Sequence, residues 1–296
     1  MAEPAELASP SLLATLRAAR PPYVDGGLEA TEIELLLEGI HRHYGYDFRE
    51  YAMSSLRRRL WRRARDEGVS TISGLQERVL HDPSCMERLL ADLSINVTAL
   101  FRDPGFYQAV RARVLPLLRT YPFVRIWNAG CATGEEAYSM AIMLHEAGLL
   151  ERTRIYATDV NEVVLRHAKE GCFPAEKLGE YAANYARAGG TAALNAYVHV
   201  DGEVARFVPW LRQNIVVAQH NLASDRSFNE FHLVLCRNVM IYFARSLQDE
   251  VHQLLYDSLA PFGVLALGRK ESIRFTRLED RYDVLDAQEK LYRRVR

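Results

Sequence analysis

The sequence predicts an α/β protein: a mostly parallel sheet preceded by an all-helical N-terminal domain and interrupted by a small antiparallel insert. Three observations carry that expectation. From Glu29 to about Leu93 apolar residues recur at helical spacing, beginning with Ile33, Leu36, Leu37 and Ile40. From Val124 onward short apolar strands alternate with amphipathic helices, the mark of βαβ units. Between Tyr197 and Phe207 polar and apolar residues alternate around Asp201-Gly202, a strong short-range hairpin signal.

Taken in order, residues 1–28 are rich in Ala, Pro and Gly, lack a sustained period and close on Asp25-Gly26-Gly27. They read as a flexible tail with at most a short helix over residues 12–20. Residues 29–94 form the helical domain, in which His81-Asp82-Pro83 punctuates before a last helix starting near Ser84. Residues 95–123 read as a linker helix. Residues 124–296 hold the sheet, with strands expected at 124–128, 154–158, 214–219, 231–236, 263–267 and 291–295 and an insert over about 173–212. No appended domain is expected after the closing strand.

A chain of 296 residues, 49% hydrophobic and with formal net charge −1, suits one large or two modest globular domains. The near-neutral charge argues against bulk nucleic-acid binding. No apolar run approaches the ~20 residues of a membrane span, and Met1 to Ala19 lacks the basic start followed by an apolar core that marks a signal peptide. A cytoplasmic monomer without membrane insertion is expected. Cys85, Cys131, Cys172 and Cys236 are widely spaced with no CxxC pair, so free thiols are expected and no metal site.

The richest local signal runs from Val124 to Glu136, a strand, the loop Gly130-Cys131-Ala132-Thr133-Gly134 and a helix start at Glu135-Glu136. A helix N-terminus carries roughly half a positive charge and unpaired N–H donors, which is why diphosphate cofactors dock there. Two glutamates at that place neutralise the field and repel a pyrophosphate. The loop therefore suits a cofactor with hydroxyls and positive charge but no phosphate, a description met by S-adenosylmethionine (SAM). Thr133 and Glu136 also have capping-box spacing, so Glu136 could serve only to close the helix start.

Ligands of open α/β sheets bind at the carboxyl ends of the strands. Asp159 follows the second strand, where an acid can bind both ribose hydroxyls; it could instead cap the next helix. Asn221 and Leu222 follow the third, suited to an adenine edge and face, although an isolated Asn is often a turn residue. Arg237 and Asn238 follow the fourth, and Arg237 could equally pair with a structural carboxylate. Between the domains, Asn96, Thr98 and Arg102 are placed to close over this site, or to form a plain helix cap and a surface arginine.

Six arginines fall between Arg57 and Arg65. At 100° per residue Met53, Leu56, Leu60 and Ala64 share one helix face, while Arg58, Arg62 and Arg65 share the opposite one. That stripe is either a solvated face or a docking surface for an acidic protein helix.

These residues resemble the CheR-type chemotaxis receptor methyltransferases. The resemblance rests on Asn96-Val97-Thr98-Ala99-Leu100-Phe101-Arg102, Gly130 to Ser139, Ala157-Thr158-Asp159, Asn221-Leu222 and Cys236 to Phe243, in the family's order and spacing. It covers nearly the whole chain after about residue 30 and implies a Rossmann-like methyltransferase fold. It further implies SAM-dependent methyl esterification of glutamate side chains on chemoreceptor signalling helices, with S-adenosylhomocysteine as product. Asn96, Thr98, Arg102, Glu135, Glu136, Asp159, Asn221, Leu222, Arg237 and Asn238 would contact the cofactor, Arg102 and Tyr242 would lie nearest the transferred methyl, and Arg58, Arg62 and Arg65 would face the receptor. Two departures from the family pattern, Leu100-Phe101 for a frequent Phe-Phe and Ala137 for a frequent Pro, remove no polar contact. The alternative is a SAM-binding regulatory module acting by protein contact without methylation; a small-molecule methyltransferase is disfavoured by the helical domain and its arginines.

Overall fold

The computed structural model describes residues 27–94 and 98–295. The short helix expected over residues 12–20 and the candidate site residue Asn96 lie outside the described residues. Helices α1 (Gly27–Tyr44), α2 (Met53–Asp66), α3 (Ile72–His81) and α4 (Pro83–Leu93) pack around Leu36, Ile40, Leu60, Ile72, Leu75 and Leu89. Their starts are set by local chemistry: the Thr71 hydroxyl accepts the Gly74 N–H at 3.0 Å, and Asp82 accepts the Ser84 N–H at 2.9 Å with Pro83 at the first helical position.

The inward face of α2 differs from the expected one. Leu56, Leu60 and Ala64 are buried, but Met53 is 45% exposed and Arg59 takes an inward place. Arg59 can be buried because its Nη1 reaches the Leu93 carbonyl at 2.8 Å. The expected linker helix is also broken: α5 (Pro104–Ala109) and α6 (Leu115–Leu118) flank a π-helical turn at Val110–Val114. Pro116 lacks an N–H for the carbonyl of Ala112 and its ring crowds that carbonyl, which accounts for the break.

The main sheet comprises β1 (Val124–Ala129), β2 (Thr153–Asp159), β6 (Ile215–Gln219), β7 (Phe231–Cys236), β8 (Leu259–Leu267), β9 (Tyr282–Asp286) and β10 (Leu291–Arg294), in the order β6-β2-β1-β7-β8-β10-β9. The first five strands of that order run parallel, and the last two are antiparallel additions. Helices α7 (Glu135–Glu146), α8 (Glu162–Glu170) and α11 (Arg245–Asp257) connect them. Ile126 packs into one core with Tyr107, Met140 and Leu233, while its neighbour Trp127 packs into the other with Val251, Leu255 and Leu265. Both faces of the sheet are therefore covered, as a parallel sheet requires.

Within the insert, β3 (Cys172–Pro174), β4 (Val198–Asp201) and β5 (Val204–Phe207) form a three-stranded antiparallel sheet, accompanied by α9 (Leu178–Arg187) and α10 (Pro209–Arg212). Asp201 pairs with Val204, so the turn is Gly202-Glu203 and Gly202 adopts φ +59°. The two domains are joined close to β7's end. Tyr51 bridges to Phe243, the Ala52 N–H donates to the Tyr242 carbonyl at 2.9 Å, and the Ala244 N–H donates to the Glu50 carbonyl at 2.8 Å.

Candidate active site

The carboxyl ends of β1, β2, β6 and β7 open on one cleft, as expected for an open α/β sheet. After β1 the chain turns through left-handed backbone at Gly130 (φ +73°), Ala132 (φ +49°) and Gly134 (φ +95°). A Cβ on Gly130 would stand 2.5 Å from Val239 Cγ2, so only glycine lets the loops after β1 and β7 come this close.

The two glutamates at the start of α7 part company. Glu136 lines the cleft. Glu135 is a correction to the expected site: it is 4% exposed and turned away, its carboxylate accepting from the hydroxyls of Thr133 (2.6 Å) and Tyr181 (3.3 Å). On a helix adjacent residues point about 100° apart, so one of a pair facing a ligand leaves the other facing the protein. The capping box is not formed either, because the Thr133 hydroxyl bonds Glu135 and Gly134 occupies the cap position.

Asp159 sits at the end of β2 and is 9% exposed. Its Oδ2 accepts from the Ala132 N–H at 3.0 Å and its Oδ1 from the Asn161 N–H at 3.0 Å. Burial pushes its carboxyl up, although those backbone donors oppose the shift. The cap of α8 is supplied by Asn161, whose Oδ1 accepts the Val163 N–H at 2.9 Å, so Asp159 is left facing the cleft. After β6, Asn221 and Leu222 line the cleft, and Asn221 also forms a turn through its Oδ1 and the Ala223 N–H at 3.0 Å.

Arg237, after β7, both pairs with carboxylates and lines the cleft. Its side chain is 2% exposed, its Nη1 donates to Glu136 Oε2 at 2.5 Å, its Nη2 donates to Asp103 Oδ2 at 2.8 Å, and its guanidinium lies 3.8 Å from the Phe106 ring centre. Burial alone would lower its pKa, and the Glu136 and Asp103 carboxylates more than reverse that. Glu136 therefore enters the cleft paired with Arg237, which it shares with Asp103, and not as the unpaired charge that its place at a helix start suggests. Asn238 follows at φ +61°, held by Glu271, whose carboxylate accepts the N–H groups of Asn238 (2.9 Å), Val239 (2.9 Å) and Gly268 (2.6 Å).

The far wall comes from the domain junction. Thr98, Ala99 and Arg102 line the cleft, facing Tyr242 and Phe243 from the loop after β7 and Tyr51 from the helical domain. The Arg59 guanidinium stands 5.1 Å from the Tyr242 ring centre, linking α2 to the cleft. Of the expected docking stripe, Arg58, Arg62 and Arg65 are all exposed, and Arg62 is ion-paired with Asp92.

Sequence reasoning missed Tyr51, His220, Asp103 and Glu271. The strand-end rule reaches His220 beside Asn221 but assigns it no role; Tyr51 and Glu271 enter from distant segments that carry no motif.

The residues present fit SAM. Each Asp159 oxygen accepts one backbone N–H and keeps a lone pair for a ribose hydroxyl. His220 and Arg237 both line the cleft, and among the described residues His220 Nδ1 and Arg237 Nε are buried without a hydrogen-bond partner. Glu136 and Asp159 present two carboxylates to a cationic, phosphate-free ligand.

Comparison with known proteins agrees. The family model described as CheR methyltransferase, SAM binding domain, matches residues 96–291, and that described as CheR methyltransferase, all-alpha domain, matches residues 31–94. A protein named Cher3 from Pseudomonas putida is 47% identical over 89% of this chain and 96% of its own length. Proteins named chemotaxis protein methyltransferase are 28% identical in Listeria innocua, over 79% of this chain and 87% of that one, and 30% identical in Salmonella typhimurium, over 61% and 62%. Two matched domains in this order, over a Rossmann-like sheet with a small antiparallel sheet beside it, identify the chain as a SAM-dependent methyltransferase that belongs to the CheR family.

Proposed function

We propose that this protein methylates glutamate side chains on the cytoplasmic signalling helices of chemoreceptors, forming glutamyl methyl esters and S-adenosylhomocysteine for signal adaptation. The observation that carries the reading is the meeting of Arg102 and Tyr242 in a cleft whose other walls present Asp159, Asn221 and Asn238. When bound, SAM supplies a methyl group on a sulfonium. Asp159 would hold the ribose, Asn221 and Leu222 the adenine, and Thr98, Glu136, Arg237 and Asn238 the remaining polar groups; by its motif position Asn96 would join them.

A glutamate carboxylate has an ordinary pKa of about 4.3 and is already ionised at neutral pH, so no general base is required. That accounts for a site built on arginines, carboxylates and tyrosines. Arg102 can orient the incoming carboxylate by charge-assisted hydrogen bonds. Held too tightly, the carboxylate would be stabilised in its ground state, which does nothing for rate. Arg102 and Tyr242 therefore act by positioning the nucleophile, and the apolar parts of Tyr51, Leu93 and Phe243 keep water from solvating it.

The test is a tritiated-SAM assay on receptor-containing membranes, reading methanol released by mild base. Arg102→Ala should lower turnover far more than SAM affinity measured by calorimetry. Label stable to base would exclude a glutamyl ester, and SAM binding without any transfer would leave a regulatory module. Loss of SAM binding with turnover intact at saturating SAM would overturn the role given to Arg102.

A further inference from the structure

A second concavity adjoins the cleft and shares Thr98, Ala99 and Arg102 with it. Beyond Arg102 it runs along α9, with Lys177 just before the first residue of that helix and Arg187 at its last, and is also lined by Arg269. Ten helical residues span about 15 Å, nearly three turns.

The charges in this groove are unequally matched. Arg269 is held by Glu289, with its Nε 3.0 Å from Oε2, and Asp103 is already bonded to Arg237 at 2.8 Å. Lys177 has no ion pair among the described residues, and the Arg187 guanidinium reaches only the amide oxygen of Asn184 at 2.5 Å. Glu180 is the one lining carboxylate without a described cation. A lysine at the cap position of α9 also opposes the helix dipole, so its charge does nothing for the fold.

We propose that this groove binds the acidic helical segment that flanks the methyl-accepting glutamate, with Lys177 and Arg187 pairing with carboxylates on either side of the target while the target itself reaches Arg102. The proposal rests on the protein-glutamate reading above and adds the surface that selects the substrate. A partner with acidic residues about one to two turns from the modified glutamate would match both ends of α9 at once.

The full-length double variant Lys177→Glu/Arg187→Glu, assayed with receptor-containing membranes and tritiated SAM, tests it. The KM for receptor should rise about tenfold at low salt, and the gap should shrink as salt screens the contacts. SAM affinity by calorimetry should stay at the wild-type value, which also shows that the variant is folded. Arg113→Glu, on an exposed residue of the π-helical turn, controls for a charge reversal outside the groove and should leave the receptor KM within about twofold. Receptors whose flanking carboxylates are changed to glutamine should show the same KM with wild type and double variant. An unchanged receptor KM in the double variant, or an equal rise in Arg113→Glu, overturns the groove while leaving the esterification reading intact. Absence of base-labile label with wild-type protein overturns both.

Discussion

Arg58 and Arg65 on α2 and Arg237 after β7 carry the same charge in opposite surroundings. The α2 pair is exposed and has no ion-pair partner among the described residues, whereas Arg237 is 2% exposed, bonded to two carboxylates and stacked on Phe106. Arg59 lies between these extremes: it belongs to the same run as Arg58, yet it is buried and anchored to the Leu93 carbonyl. A buried guanidinium organises what surrounds it, since removing it strands its partners; an exposed one is available to a partner that the chain itself lacks. Arg237 thus shapes the cleft, Arg59 ties the helical domain to Tyr242, and Arg58 and Arg65 stay exposed, as the expected docking stripe requires.

The sharpest way to break this contrast is Arg237→Met. It leaves Glu136 and Asp103 without their cation, and because Asp103 keeps 30% of its side chain in water the loss should fall near the lower end of the buried-pair range, about 3 kcal/mol. Urea unfolding would read it, and a change under about 1 kcal/mol would remove Arg237 from the buried class.

Asp159 offers a buried charge of the other kind, held by backbone N–H groups with no ion pair among the described residues. Asp159→Asn should weaken SAM binding by about 1.5–3 kcal/mol, or roughly 10- to 150-fold in Kd, as expected for losing a charged acceptor. A carboxyl raised in the folded state contributes stability below its ordinary value of 3.8, and that contribution is lost as pH rises through the folded value. In SAM-free protein the stability of wild type relative to Asp159→Asn should therefore fall as pH rises above 3.8, then level off. A pH series of urea midpoints showing no such slope would mean that the carboxyl is not raised.

Arg59→Met keeps an apolar stem but leaves the Leu93 carbonyl unpaired, at about 1–3 kcal/mol of stability. Because Arg59 also stands over Tyr242, turnover should fall more than SAM affinity does. Loss of stability with kcat unchanged would make it a fold residue alone. The smallest effect on the fold belongs to Arg58→Glu/Arg65→Glu, which should stay within about 0.5 kcal/mol of wild type while raising the receptor KM in a salt-dependent way. An unaltered KM would return the stripe to a solvated face.

Local pattern made most of the fold legible. The strands at β1, β2, β6, β7 and β10 follow from apolar runs, and the β4–β5 hairpin from alternation around Asp201-Gly202. β9 escaped because Tyr282-Asp283-Val284-Leu285-Asp286 buries only Tyr282 and reads as polar surface, and β3 because it is three residues long. The broken linker helix had a signal in Pro116 that apolar periodicity outweighs. At the site, strand ends led to Asp159, Asn221, Arg237 and Asn238, while Tyr51 and Glu271 carry no local cue.

The sequence by itself determined the helical domain, the parallel strands and the hairpin, the glycine loop after β1 and the polar residues at the strand ends, because those depend on periodicity and on backbone freedom at single positions. Only the tertiary structure decided that Glu136 and not Glu135 faces the cleft, that Glu136 and Asp103 share the Arg237 guanidinium, that Arg59 turns inward, and that α9 runs beside Arg102 with two cations that have no acidic partner among the described residues. Each of those outcomes is a choice of partner between segments far apart in the chain. Burial and hydrogen bonding make that choice only once the domains have packed.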